Sequence, residues 1–152
     1  MSVDSSLGSS NGGRPLSPVR KYGIPRYRVT LVREGRALPA TESVQTSEGA
    51  AAILLPLFAH LDREQFLICG LDAKHRLIGI NVVSTGSLNL TIVHPREVFK
   101  PLILMNAGAW LCAHNHPSGD ITPSAEDRIL TKRLREAGEL FGITLLDHLI
   151  LA

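Results

Sequence analysis

Two kinds of hydrophobic spacing recur along this chain, one predicting helices and the other strands. Between Ser43 and Phe58, Val44, Ala51, Leu54, Leu55 and Phe58 fall at helical spacing. Phe66 to Leu71 and Arg76 to Val83 are strand-like runs on either side of an Asp72-Ala73-Lys74-His75 turn. A break at Ser84-Thr85-Gly86 leads into an extended stretch from Leu88 to Val93. Pro95, a favoured first-turn residue, opens a helix carrying Val98, Leu102 and Met105. Ala109 to His114 is a short apolar strand. Thr122-Pro123 predicts another helix start, with Thr as cap and Pro at the first helical position. Leu130, Leu134, Ala137 and Phe141 form its apolar stripe, and Gly142 ends it. Thr144 to Leu151 is a last strand, and Arg28 to Val32 alternates enough to be an early one. Helices and strands interleave without internal repeat, so the expected class is α/β or α+β, with one mixed β-sheet flanked by helices.

Residues 1–26 lack such a pattern. Five serines before position 11, Gly12-Gly13, Pro15 and Pro18 leave little to bury. They read as a disordered basic arm ahead of one domain over 27–152. Over the first 36 residues, Arg14, Arg20, Lys21, Arg26, Arg28, Arg33 and Arg36 are opposed only by Asp4 and Glu34. A solvated tail is the favoured reading, and a contact with nucleic acid is the sharper alternative.

Bulk composition narrows the classes. The chain has 152 residues and is 44% hydrophobic, enough for one domain with a real core. A net charge of +2 provides no global field toward nucleic acid or membrane. Cys69 and Cys112 lie far apart in apolar runs, forming neither a disulfide framework nor a Cys-x-x-Cys zinc pair. No signal-peptide core and no apolar run of membrane-spanning length is present, so a cytoplasmic location and no membrane partner are expected.

Chemistry concentrates in A-H-N-H-P-S-G-D-I-T-P-S-A-E-D, residues 113–127. On a strand, His114 and His116 point the same way while Asn115 points to the opposite face. Their Cα atoms are then roughly 6.6 Å apart, close enough for both imidazoles to reach one metal ion. Pro117 and Gly119 turn the chain, and a helix opening at Pro123 sets Ser124 and Asp127 on one face of its first turns. Asp127 supplies a third, anionic ligand. Two His and one carboxylate leave a fourth position for water, the pattern of a catalytic zinc site.

The spacing from His114 through His116 and Ser124 to Asp127 matches the JAMM motif of MPN+ metalloproteases. More narrowly, H-N-H-P-S-G-D with P-S-A-E-D resembles the RadC family of bacterial proteins. The resemblance extends to E-Q-F-L-I-C-G-L-D, S-T-G-S-L-N and H-P-R-E-V-F-K upstream and to L-L-D-H-L-I downstream, roughly residues 28–151. It implies an MPN/JAB-type fold, related in outline to the cytidine deaminases. It implies a Zn2+ cofactor and the hydrolysis of a peptide or isopeptide substrate. Related JAMM enzymes place a glutamate at the start of the strand after the first helix, which here is Glu64. By that resemblance Glu64 is the general base, and Ser124 donates a hydrogen bond to the oxyanion. Glu126 points about 100° away from Asp127, and Glu97 is explained by the helix dipole.

Other residues carry blander expectations. Cys112 reads as a small buried hydrophobe, Asp120 as a turn former, and Trp110 as core. His60, His75 and His94 have no partner spacing and read as surface or turn positions. Asp147-His148 matches the family pattern and reads equally as a support to the zinc site or a buried structural pair. Longer RadC-like proteins carry a helix-hairpin-helix region ahead of this domain, and nothing in residues 1–27 matches one. The family pattern also continues past the last strand, whereas this sequence stops at Ala152, as a truncated member would. The alternative reading is a RadC-like metal-binding module associated with DNA repair or mobile-element functions, with little turnover. A zinc hydrolase of the deaminase type is disfavoured by the absence of a P-C-x-x-C run.

Overall fold

The structure, a computed structural model, describes residues 24–35, 44–86 and 93–152. Most of the predicted basic arm, and the stretch expected to be extended over 88–92, lie outside the described residues.

Among the described residues, seven elements follow in chain order: α1 (Ser47–Phe58), β1 (Gln65–Leu71), β2 (Leu77–Thr85), α2 (Pro95–Leu104), β3 (Ala109–Asn115), α3 (Ala125–Phe141) and β4 (Thr144–Leu151). The four strands form one mixed sheet in the order β2-β1-β3-β4. β1 runs antiparallel to both β2 and β3, while β3 and β4 are parallel and joined through α3. The expected mixed sheet flanked by helices is therefore present. Among the described residues, no helix is long and apolar enough to cross a membrane.

The central strands explain their own sequences. β3 is buried at every position and β1 at all but its first. Strands covered on both faces read as continuous apolar runs instead of alternating ones. One face carries Phe66, Ile68, Trp110 and Cys112 against Val98, Phe99 and Leu102 of α2 and Leu130 and Leu134 of α3. The other carries Leu67, Cys69, Leu71, Leu111 and Ala113 against Ala50, Leu54 and Phe58 of α1. Trp110 is a core residue, as expected. Cys112 is too, and burial pushes its thiol well above the ordinary value. A buried neutral thiol is poorly suited to ligation.

Several boundaries differ from the sequence-based expectations. α1 begins at Ser47, not Ser43, because Thr46 caps it by accepting from the Gly49 N–H at 3.0 Å. α3 is capped by Ser124, not Thr122. The Thr122 N–H is already taken by Asp120 Oδ1 at 2.8 Å, which makes Asp120 the turn former expected and leaves Pro123 outside the helix. Phe141 ends the α3 stripe half-exposed, and Gly138 takes the buried position beside it. His94, read as a surface or turn position, caps α2 by accepting from the Arg96 N–H at 3.1 Å. The strand expected over Arg28–Val32 is not formed. Residues 24–34 have no regular structure, and Tyr27, Val29 and Val32 are exposed. Among the described residues, alternation there has neither a partner strand to satisfy its backbone nor a core to face.

Gly138 marks the tightest contact between α3 and the turn into β4. A Cβ there would lie 2.6 Å from the Ile143 carbonyl oxygen and 3.5 Å from Trp110 Nε1. The first neighbour is backbone and cannot swing aside. Gly138→Ala is expected to destabilise the fold by about 1–3 kcal/mol despite the better helix propensity of Ala. Urea denaturation of the two proteins measures this, and a midpoint at or above the parent's would refute it.

Candidate metal centre

The site forms where β3 ends and α3 begins. Phe66 pairs with His114 across the β1–β3 ladder, so His114 closes the apolar stripe on the α3 side of the sheet. Its side chain is fully buried. His116 lies just past the strand, and the Gly119 N–H bonds back to its carbonyl at 3.0 Å. Asp127 sits in the first turn of α3, whose capping box is reciprocal. Ser124 Oγ accepts from the Asp127 N–H at 3.0 Å, and Asp127 Oδ2 accepts from the Ser124 N–H at 2.8 Å and its hydroxyl at 2.6 Å.

These elements converge three ligand atoms. His114 Nε2 lies 3.0 Å from His116 Nε2 and 3.3 Å from Asp127 Oδ1, and His116 Nε2 lies 3.8 Å from Asp127 Oδ2. A tetrahedral ion with nitrogen ligands at 2.0–2.1 Å separates them by about 3.3 Å. The donor set fits such an ion. His116 Nδ1 faces the Asp120 carbonyl oxygen, which can only accept, so neutral His116 carries its proton on Nδ1 and turns an Nε2 lone pair inward. His114 is held neutral to about pH 4, first by burial and then by the neighbouring His148. Burial opposes the charge on Asp127, but donation from Ser124, together with His114 and His116, still holds its carboxyl below the usual value. His114, His116 and Asp127 can therefore hold a metal ion.

Glu64, immediately before β1, enters the same cleft. That cleft, about 440 Å³, is lined by Glu64, His116, Ser124 and Asp127 among others. The structure thus brings together all five residues singled out from sequence. Ser124 is engaged as the helix cap, its hydroxyl proton directed at Asp127. Glu97 is remote in role, bound to Lys100 at 2.8 Å.

Two neighbours went unpredicted, Asn115 and Thr131, while His148 takes the supporting place that was one of its two readings. Asn115 Oδ1 accepts from the Gln65 N–H at 2.8 Å, and its Nδ2 donates to the Arg63 carbonyl at 3.2 Å. Asn115 thereby grips the chain on both sides of Glu64. The Gly86 N–H adds a bond to the Glu64 carbonyl at 2.7 Å. The ladder signals this contact, since extending it one step from the Phe66–His114 pair sets Asn115 beside Gln65. On the other side, His114 Nδ1 lies 2.8 Å from His148 Nε2 on β4, and His148 in turn meets Thr131 of α3. Asp147 points the other way and accepts from the Ser47 hydroxyl of α1.

A family model described as a RadC-like JAB domain matches residues 44–152. The chain belongs to the RadC-like JAB family. Its relatives include UPF0758 proteins of Moorella thermoacetica, 50% identical over 71% of this chain and 47% of that protein, and of Desulforamulus reducens, 45% identical over 90% and 60%. A third, from Listeria monocytogenes, is 47% identical over 82% of this chain and 54% of its own length. The chain spans about half the length of the curated relatives it matches. This RadC-like JAB domain has the four-stranded mixed sheet and three helices consistent with a JAB/MPN fold.

Buried imidazoles make the domain pH-sensitive when metal-free. His114 and His148 are both lowered to about 4, chiefly by burial. In the unfolded chain they protonate near 6.5. Between these values the unfolded state binds more protons, so stability falls as pH drops from about 6.5 towards 4. Urea midpoints across this range should decline, and His148→Gln should flatten the slope by one proton. A flat midpoint between pH 6.5 and 4.5 would contradict this.

Proposed function

We propose that this domain is a zinc-dependent hydrolase, a metallopeptidase or isopeptidase, with zinc held by His114, His116 and Asp127. The observation that carries the reading is the convergence of two imidazole nitrogens and a carboxylate beside a cleft that is also lined by Glu64. Zinc supplies Lewis-acid chemistry when bound, polarising an acyl oxygen and acidifying water.

The chain's own residues do the rest. Glu64 accepts the proton of the attacking water on its carboxylate and delivers it to the leaving amine nitrogen. Asn115 steadies Glu64 through the main chain on either side of it. Ser124 turns its hydroxyl proton from Asp127 to the carbonyl oxygen of the scissile bond as that oxygen gains charge, a role worth roughly 3 kcal/mol in comparable sites. Asp127 then keeps the Ser124 N–H as its donor within the chain.

A second reading, a metal-binding module with little turnover, is favoured by one feature. The Ser124 hydroxyl is already spent on Asp127. The two readings separate on zinc stoichiometry and turnover measured together against a panel of peptide and isopeptide substrates. Wild type should bind one zinc per chain and cleave. Glu64→Gln should keep zinc and the fold while losing about 10²–10⁴-fold in turnover. Asp127→Asn should lose metal affinity first, because it removes the anionic ligand. Full activity in Glu64→Gln would sink the base assignment. Stoichiometric zinc without turnover on any substrate would favour the second reading.

A further inference from the structure

Every proton in the chain of contacts behind His114 has only one place to be. The Asp127 carbonyl can only accept, so the Thr131 hydroxyl, 2.6 Å away, donates to it. That uses the only hydroxyl proton of Thr131. His148 Nδ1, which faces the same oxygen, must therefore be the donor in that contact. Neutral His148 then has a lone pair on Nε2, which lies 2.8 Å from His114 Nδ1. His114 Nδ1 must carry the proton, and His114 Nε2 is left bare, facing His116 and Asp127.

We infer that Thr131 and His148 form a positioning relay that presets the tautomer of His114 and ties it to Asp127. The inference rests on reading His114, His116 and Asp127 as a metal site. The circuit is closed: it leaves one proposed ligand at His114 Nδ1 and ends on the main-chain carbonyl of another, Asp127. It joins β3, β4 and α3, so the separation of the two ligands is held from behind as well as across the cleft. Thr131 lies one helical turn beyond Asp127, where a hydroxyl naturally bonds the carbonyl four residues back.

A β-bulge makes the relay geometrically available. The β3–β4 register shifts between Trp110 and Leu111, whose partners are Leu145 and Asp147. Leu145 faces the α2–α3 side of the sheet. Strict alternation from Leu145 would send His148 to the α1 side. The extra residue, Leu146, reverses the parity. His148 then sits opposite Cys112, beside His114, and Asp147 turns toward α1.

Imidazole nitrogen chemical shifts in 15N-labelled, metal-free protein at neutral pH test the relay directly. His114 and His148 should both be Nδ1–H tautomers with bare Nε2. Zinc affinity, read by competition with a chelating indicator, should then fall roughly 10–100-fold in Thr131→Val, which keeps shape but removes the acceptor for His148. Thr131→Ser, which restores the hydroxyl, should recover it. An Nε2–H His114 in the wild-type spectrum overturns the relay, and so does a folded Thr131→Val with unchanged zinc affinity. If Thr131→Val does not fold, the wild-type spectrum and Thr131→Ser still decide. Absence of zinc binding by wild type would instead sink the metal reading, leaving the tautomer spectrum to judge the relay by itself.

Discussion

His114 is a polar ring buried at the end of an apolar strand, and a ring so placed needs partners at both nitrogens. On one side Nδ1 meets His148. On the other, Nε2 faces His116 and Asp127, where a metal ion would resolve the approach of two lone pairs and a carboxylate. The layout of the sheet follows from this need. β3 must be central to bury His114, α3 must start beside its end to supply Asp127, and β4 must lie parallel to it to supply His148.

The start of α3 serves two ends with one set of bonds. Ser124 and Asp127 satisfy each other's main-chain N–H groups, which any helix start requires. The same bonds orient the Asp127 carboxylate toward the imidazoles and keep it charged in spite of burial. A local stabilising device thus becomes part of a ligand set. The cost is that Ser124 begins with its hydroxyl committed, so any role toward substrate requires an exchange of partners.

Glu64 immediately precedes β1, His114 and His116 flank the end of the antiparallel neighbour β3, and the ladder between the two strands keeps them together. Asn115, between the two histidines, reaches the chain on both sides of Glu64. The ligand strand and the segment bearing the proposed base are therefore connected by side-chain bonds as well as by backbone pairing. Exposed charge pairs such as Arg63–Asp62 and Lys132–Glu136 contribute little to this arrangement.

Much of this was legible in the chain alone. Short apolar runs marked β1 and β3 because both are covered on two faces, and the His114–His116 and Ser124–Asp127 spacings carried the ligand set because each pair is local, one at the end of β3 and the other at the start of α3. Tertiary structure decided what depends on partners. Arg28–Val32 alternates like a strand yet pairs with no strand among the described residues. Thr122 read as the cap of α3, but the reciprocal capping box of Ser124 and Asp127 starts the helix two residues later. Asn115 pointed away from the ligands by parity, and only strand register shows that it grips the residues around Glu64. His148 could not be assigned a face from sequence, because one bulge residue at Leu146 reverses the alternation of everything after it. Periodicity within an element is a property of the chain, whereas register between elements arises only when they pair.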